Sequence, residues 1–248
     1  MPRKAQIANR AGWGAYLKRN WELYLFVVPA LIYLLLYCYY PMYGVQIAFK
    51  NFRVTKGITG SEWVGLEHFR KFFSNPSCRA LIKNTLVISL YSLVVGFPLP
   101  IIFALTLNEV APGRYKKLVQ TVSYAPHFIS TVVMVSMLTM FLNADNGIFN
   151  KIVETLGGRV DYMSKANLFP TVYVLSGVWQ SLGWSSVIYL SALSGIDTGL
   201  HEAAMIDGAS RLQRIWHINL TGILPTITIM LILQVGNLMT VGFEKAFL

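Results

Sequence analysis

Long runs without a charged residue dominate this chain. Asp, Glu, Lys and Arg are missing from Leu23 to Phe49, Thr85 to Asn108, Leu118 to Ala144, Ala166 to Ile196 and Ile215 to Phe243. A bilayer core of about 30 Å takes about 20 apolar residues in a helix, and each run is long enough. The pattern predicts five spanning helices, at about 23–43, 85–107, 118–142, 168–194 and 218–243. The fold class is therefore expected to be an all-α polytopic membrane protein. Trp21, Tyr24, Tyr39, Tyr40 and Tyr43 flank the first run, where aromatic rings settle at headgroup level. Pro29, Pro98, Pro100 and Pro126 fall inside spans and predict kinks. Gly96, Gly177, Gly183, Gly195 and Gly236 predict close helix approaches.

The segments between runs carry a second pattern. Residues 55–60 are turn-like. From Trp63 to Phe73, apolar Leu66, Phe69 and Phe73 fall at i, i+3 and i+7, the spacing of an amphipathic helix. Such a helix lies along the outer membrane surface or packs onto the bundle, and the two are not exclusive.

Composition agrees. Of the 248 residues 54% are hydrophobic and 13% charged, against about 25% charged in soluble domains. That excludes an ordinary soluble domain, and it excludes disorder, which needs low hydrophobicity and high charge. The net charge is +10. A basic leader, residues 1–22, holds five Lys/Arg and reads as a cytosolic, headgroup-facing segment or, equally, as a frayed polar tail. It is not a signal peptide, because the run that follows is too long and no small-residue cleavage site succeeds it. With a cytosolic N-terminus, ten Lys/Arg fall inside and eleven outside. Long segments such as 50–84 are discounted, and the short loop with Arg114, Lys116 and Lys117 then favours the N-terminus inside. Cys38 lies in the first span and Cys78 outside it, so a disulfide is not expected, and no cluster suggests a metal.

Charge reappears between the fourth and fifth runs, over 197–217. Asp197 or Thr198 suits a helix N-cap, and Glu202 sits near the first turn, where a carboxylate complements the helix dipole. Asp207 and Arg211 at i, i+4 can pair. Ala204, Gly208, Leu212 and Ile215 would form one stripe. A glycine inside a helix costs about 1 kcal/mol against Ala, so Gly208 suggests a bend or a close approach. The segment reads as a docking element for a cytosolic partner, with a purely interfacial helix as the alternative.

Glu202-Ala203-Ala204-x-x-Asp207-Gly208-Ala209, followed by Ile218 and Leu224-Pro225, resembles the EAA loop of ABC importer permease subunits. Further segments resemble permeases for oligosaccharides and polysaccharide fragments. They are Tyr40-Pro41-Met42-Tyr43-Gly44, Ala48-Phe49-Lys50-Asn51-Phe52, Trp63-Val64-Gly65-Leu66, Asn84-Thr85-Leu86, Leu107-Asn108-Glu109 and Tyr124-x-Pro126-His127-Phe128-Ile129-Ser130. Ile188-Tyr189-Leu190-Ser191-Ala192-Leu193 and Gly242-Phe243-Glu244-Lys245 also fit. Two departures stand out. Thr221 occupies a position where the family usually has Pro, and the chain stops at Leu248, just past the fifth of an expected six spans, so it reads as C-terminally incomplete.

The resemblance implies a permease subunit with a cytosolic coupling helix seated in a cleft of a separate ATPase. Glu202, Ala203, Ala204, Asp207, Gly208, Ala209 and Arg211 would form that joint. It also implies ATPase subunits, a second permease subunit (a heterodimer is expected), an extracytoplasmic solute-binding protein and a carbohydrate substrate, but no nucleic acid, at a bacterial inner membrane. No GxxxxGK[ST] occurs, so no cofactor is expected on this chain, with ATP and Mg used by the partner ATPase, and the chain is not an enzyme by itself. Trp179, Gln180, Trp184, Tyr189, Gln234 and Asn237 are polar or aromatic positions within spans and suit a sugar pathway. Interhelical packing is the competing reading for each, and His127 reads as a packing residue. No charge lies in mid-span, which leaves an acidic sugar without an obvious partner. It also argues against a proton- or ion-coupled secondary transporter or channel, the alternative from another class. A membrane-embedded enzyme would need clustered His, Asp or Glu, which four scattered histidines do not provide.

Overall fold

The computed structural model describes residues 19–155, 157–158, 160–238, 240 and 242–247. Most of the basic leader, residues 1–18, lies outside them. The chain divides into two units, residues 1–79 and 80–248.

In the first unit a helical rod, α1 (Trp21–Phe49), carries the first apolar run. It is α-helical to Tyr33, π-helical over Leu34–Tyr39 and 3₁₀-helical over Tyr43–Phe49. Pro29 lies inside it and Pro41 follows the π segment. A proline has no N–H for the preceding turn, so both prolines leave carbonyls without their α-helical donors. None of the residues from Trp21 to Phe49 is buried, so this apolar surface is available to lipid. Lys50–Asn51 (β1) then pairs antiparallel with Glu62–Trp63 (β2), Lys50 opposite Trp63. The turn-like stretch between them contains a single helical turn, Gly57–Gly60. This pairing brings two of the motif segments together. Phe49 stacks on Trp63 with ring centroids 5.6 Å apart, and Phe69 lies 5.3 Å from Phe49. The amphipathic helix expected over 63–73 forms only as the shorter α2 (Glu67–Ser74), because Trp63 pairs in β2 and Leu66 is the N-cap; Lys71 bridges to Glu67 at 2.6 Å. Leu66, Phe72 and Phe73 stay exposed.

The second run lies inside a longer helix, α3 (Pro76–Asn108), whose 33 residues include a break at Phe97 between Gly96 and Pro98. The third run is not the single span expected over 118–142. It forms α4 (Arg114–Phe128) and α5 (Thr131–Phe141), bent by 102°. The cause is local: Pro126 sits in a closing 3₁₀ turn, Ile129 and Ser130 are extended, and Ser130 caps α5 by accepting from the Val133 N–H. After α6 (Ile148–Thr155) the fourth run forms α7 (Phe169–Ser194), 26 residues long. The fifth run is also broken. α9 (Arg211–Leu220) meets α10 (Leu224–Gly236) at 61°, and the straight helix ends at Gly236 rather than 243. Pro225 begins α10 in a first-turn position that tolerates its missing N–H. α11 (Phe243–Phe247) follows.

By length and composition α1 and α3 can each cross a bilayer alone, and the two bent pairs raise the number to four. α7 reaches about 39 Å, but six serines make it too polar to join that set. The core of this unit is Ile101, Ala104, Tyr189, Leu193 and Ile223, where the C-terminal half of α3 packs along α7 and the α9–α10 corner closes over both. Among the glycines singled out, Gly183 makes a close backbone approach: a Cβ there would overlap the Ser123 carbonyl of α4.

Candidate functional site

The loop over 197–217 folds as two helices, not one. The first, α8 (Thr198–Ile206), begins at Asp197, whose Oδ1 accepts from the Gly199 N–H at 2.9 Å. It ends in a Schellman motif. The Gly208 N–H donates to Met205 O at 3.1 Å and the Ala209 N–H to Ala204 O at 2.8 Å, with Gly208 at φ +79°. That left-handed position favours glycine. Gly208 is thus the C-terminal stop of α8 rather than a residue inside a helix. Ser210 at once starts the next helix with a capping box: its N–H donates to Gln213 Oε1 at 2.7 Å, and the Gln213 N–H donates to Ser210 Oγ at 3.4 Å.

This turn corrects two expectations. Asp207 and Arg211 do not pair, because the left-handed residue between them takes them off a common helical face; the ion pair seen among the described residues is Lys71–Glu67. Nor do Ala204, Gly208, Leu212 and Ile215 form one stripe. Ala204 and Ala209 instead line a hollow of about 240 Å³ with Gln213, Arg214, His217 and Ile218. Glu202, Ala203, Asp207, Gly208 and Arg211 are all exposed. So are Met205, Ile206, Leu212 and Trp216, with Ile206 86% accessible. Apolar side chains are thus gathered around fixed charges on this loop.

The loop is tied to the bundle by Asn219, which sequence reasoning missed. It is fully buried, and its Nδ2 donates to Glu109 Oε1 at 3.2 Å, at the C-cap of α3. The available signal was an asparagine just inside the charge-free run that begins at Ile215.

Within the bundle a cavity of about 450 Å³ opens between α3, α7, α10 and α11. Of the six pathway positions, Gln180, Tyr189 and Gln234 line it. Tyr189 is 3% accessible and belongs equally to the core. Gln180 donates from Nε2 to Ile129 O at 2.9 Å, satisfying a carbonyl freed at the α4–α5 break. Trp179, Trp184 and Asn237 are elsewhere. Trp179 faces an apolar hollow beside Met134 and Leu138. Trp184 stacks on His127 at 4.7 Å and 2°. Asn237 donates to Leu233 O of its own helix. His127 is indeed a packing residue.

One cavity residue enters the sequence analysis only as part of the Gly242–Lys245 motif and not as a pathway position. Lys245 of α11 reaches back to the first turns of α7, donating to Tyr173 O at 2.6 Å with its Nζ 4.5 Å from the Tyr173 ring. The missing side chain of Gly177 gives it room, since a Cβ there would lie 3.1 Å from Nζ. Burial lowers its pKa to about 8, so it stays largely protonated at neutral pH.

Comparison with known proteins follows the same lines. Residues 96–242 match the family model of binding-protein-dependent transport system inner membrane components. The polygalacturonan/rhamnogalacturonan transport system permease protein YteP of Bacillus subtilis is 44% identical over 91% of this chain and 71% of its own. A solved bacterial ABC transporter that imports the acidic polysaccharide alginate has a chain with a TM-score of 0.85 and 39% identity, over 92% of this chain and 77% of that one. A second solved structure shows an alginate ABC transporter in complex with an alginate pentasaccharide-bound periplasmic protein. It matches with a TM-score of 0.85 and 38% identity, over 95% of this chain and 78% of that one. The chain therefore belongs to the binding-protein-dependent transport system inner membrane components, the membrane permease subunits of ABC importers.

Proposed function

We propose that this permease subunit forms half of the translocation pathway of an ATP-driven importer of oligosaccharides, and that it couples to its motor through the loop over 197–217. The observation that carries the coupling role is the doubly capped α8–α9 turn, which holds exposed Glu202, Asp207 and Arg211 beside exposed Met205, Ile206 and Leu212. Such a rigid, half-apolar knob suits a cleft in another subunit. ATP and Mg²⁺ are used by separate ATPase subunits, the chain having no phosphate-binding loop of its own. A second permease subunit completes the pathway, and an extracytoplasmic solute-binding protein delivers the sugar. The N-terminus and the loop face the cytosol of a bacterial cell. Carbohydrate as the substrate class is supported by the polygalacturonan and alginate systems among its relatives. The cavity's amides, hydroxyls and aromatic rings suit sugar hydroxyls and apolar sugar faces.

In this arrangement nucleotide-driven closure of the ATPases moves α8, and the Asn219–Glu109 bond passes that motion to α3. Gly208→Trp, made in the whole transporter, is expected to leave membrane insertion intact and to abolish co-purification of the ATPase. Undiminished association would sink the coupling role.

A further inference from the structure

We propose that Lys245 is a subsite for a substrate carboxylate, so that the cavity selects oligosaccharides carrying uronic acids over neutral ones. The inference rests on the carbohydrate-importer reading and narrows it.

The amine sits where a structural lysine would be poorly placed. Among the described residues its direct hydrogen-bond partner is the Tyr173 carbonyl, with the ring face of Tyr173 beside it. No carboxylate pairs with it among the described residues, and its chain neighbour Glu244 is exposed. Lys245 is half-buried, and drawing an ammonium even partly out of water without a counter-ion is unfavourable, which one carbonyl offsets only in part. An ammonium has three donors, so two remain for a ligand. Around it, the cavity wall offers Ser92, Ser181, Gln180 and Gln234, neutral groups that match sugar hydroxyls. The space, about 450 Å³, lies within the usual range for ligand sites. A carboxylate entering it would supply the missing counter-charge through a charge-assisted hydrogen bond. Gly177 is part of the device, because any side chain there would crowd the amine.

The test uses cells carrying the complete transporter, with uptake of a trigalacturonide measured against the same trisaccharide whose carboxylates have been reduced to hydroxymethyl groups. Wild type should favour the acidic sugar. Lys245→Met should lower the acidic-to-neutral uptake ratio by about tenfold, equivalent to about 1.4 kcal/mol, and Lys245→Arg should restore most of it. A ratio unchanged in Lys245→Met, or one not recovered by Arg, would overturn the subsite, since a lysine that only ties α11 to α7 lowers both uptakes alike. ATP hydrolysis stimulated by each sugar-loaded binding protein, read as the same ratio in purified transporter, gives the answer independently of expression level. If the wild type takes up neither sugar, the carbohydrate reading fails as well, an outcome distinct from a changed or unchanged ratio.

Discussion

Gly208 shapes the loop over 197–217 by ending one helix just before the next begins. At φ +79° it accepts a conformation that costs other residues about 1–2 kcal/mol, except asparagine, whose side chain offsets part of that. Gly208→Asn should therefore stay near wild type in thermal stability of the purified transporter, Gly208→Ala should lose about 1 kcal/mol, and Gly208→Val more. Equal stability in all three would contradict the left-handed cap. Asn219 makes a second prediction at this scale. Replacing it with Leu strands the Glu109 carboxylate and should cost about 1–3 kcal/mol. Glu109→Gln keeps a hydrogen-bonding partner and should cost less. Melting of the purified complex distinguishes them, and the reverse order would exclude the bond as the link between loop and α3.

Among the elements, the charge-free runs located the helices because a bilayer core tolerates few charges. The same runs concealed the breaks, because hydropathy does not register the direction of the backbone. Pro126 and the Ile-Ser pair after it held the signal for the 102° turn, which is larger than the kink a proline alone predicts. In the loop, the helical spacing of Asp207 and Arg211 suggested an ion pair, while the Asp-Gly step between Ile206 and Ala209 marked the helix end that prevented it. Lys245 was illegible for a different reason. Its partner Tyr173 is 72 residues away, and no local pattern shows that α11 folds back on α7. The α4–α7 contact was foreshadowed by Gly183. Gly183→Ala places a Cβ on the Ser123 carbonyl and should force the helices apart, at about 1–3 kcal/mol. A lowered temperature of detergent-induced aggregation reads this out, and an unchanged one would contradict the contact.

At the scale of the whole molecule, the proposed topology puts the segment that precedes α3, with the β1–β2 pair and α2, outside the cell. On the topology proposed above, the loop over 197–217, which follows α7, lies in the cytosol, where the ATPase would meet its exposed apolar surface. The most direct measurement of this account is site-specific cross-linking in the intact transporter, after Cys38 and Cys78 are replaced by Ser. Single cysteines at Met205 and Leu212, both exposed in the loop, and at Trp63, exposed in β2, are labelled with a benzophenone maleimide and irradiated, so that the photoexcited ketone inserts into C–H bonds of whatever protein lies against it. The account predicts that Met205→Cys and Leu212→Cys link to the ATPase subunit and that Trp63→Cys does not. ATPase links from Trp63→Cys, or none from either loop position, would contradict it.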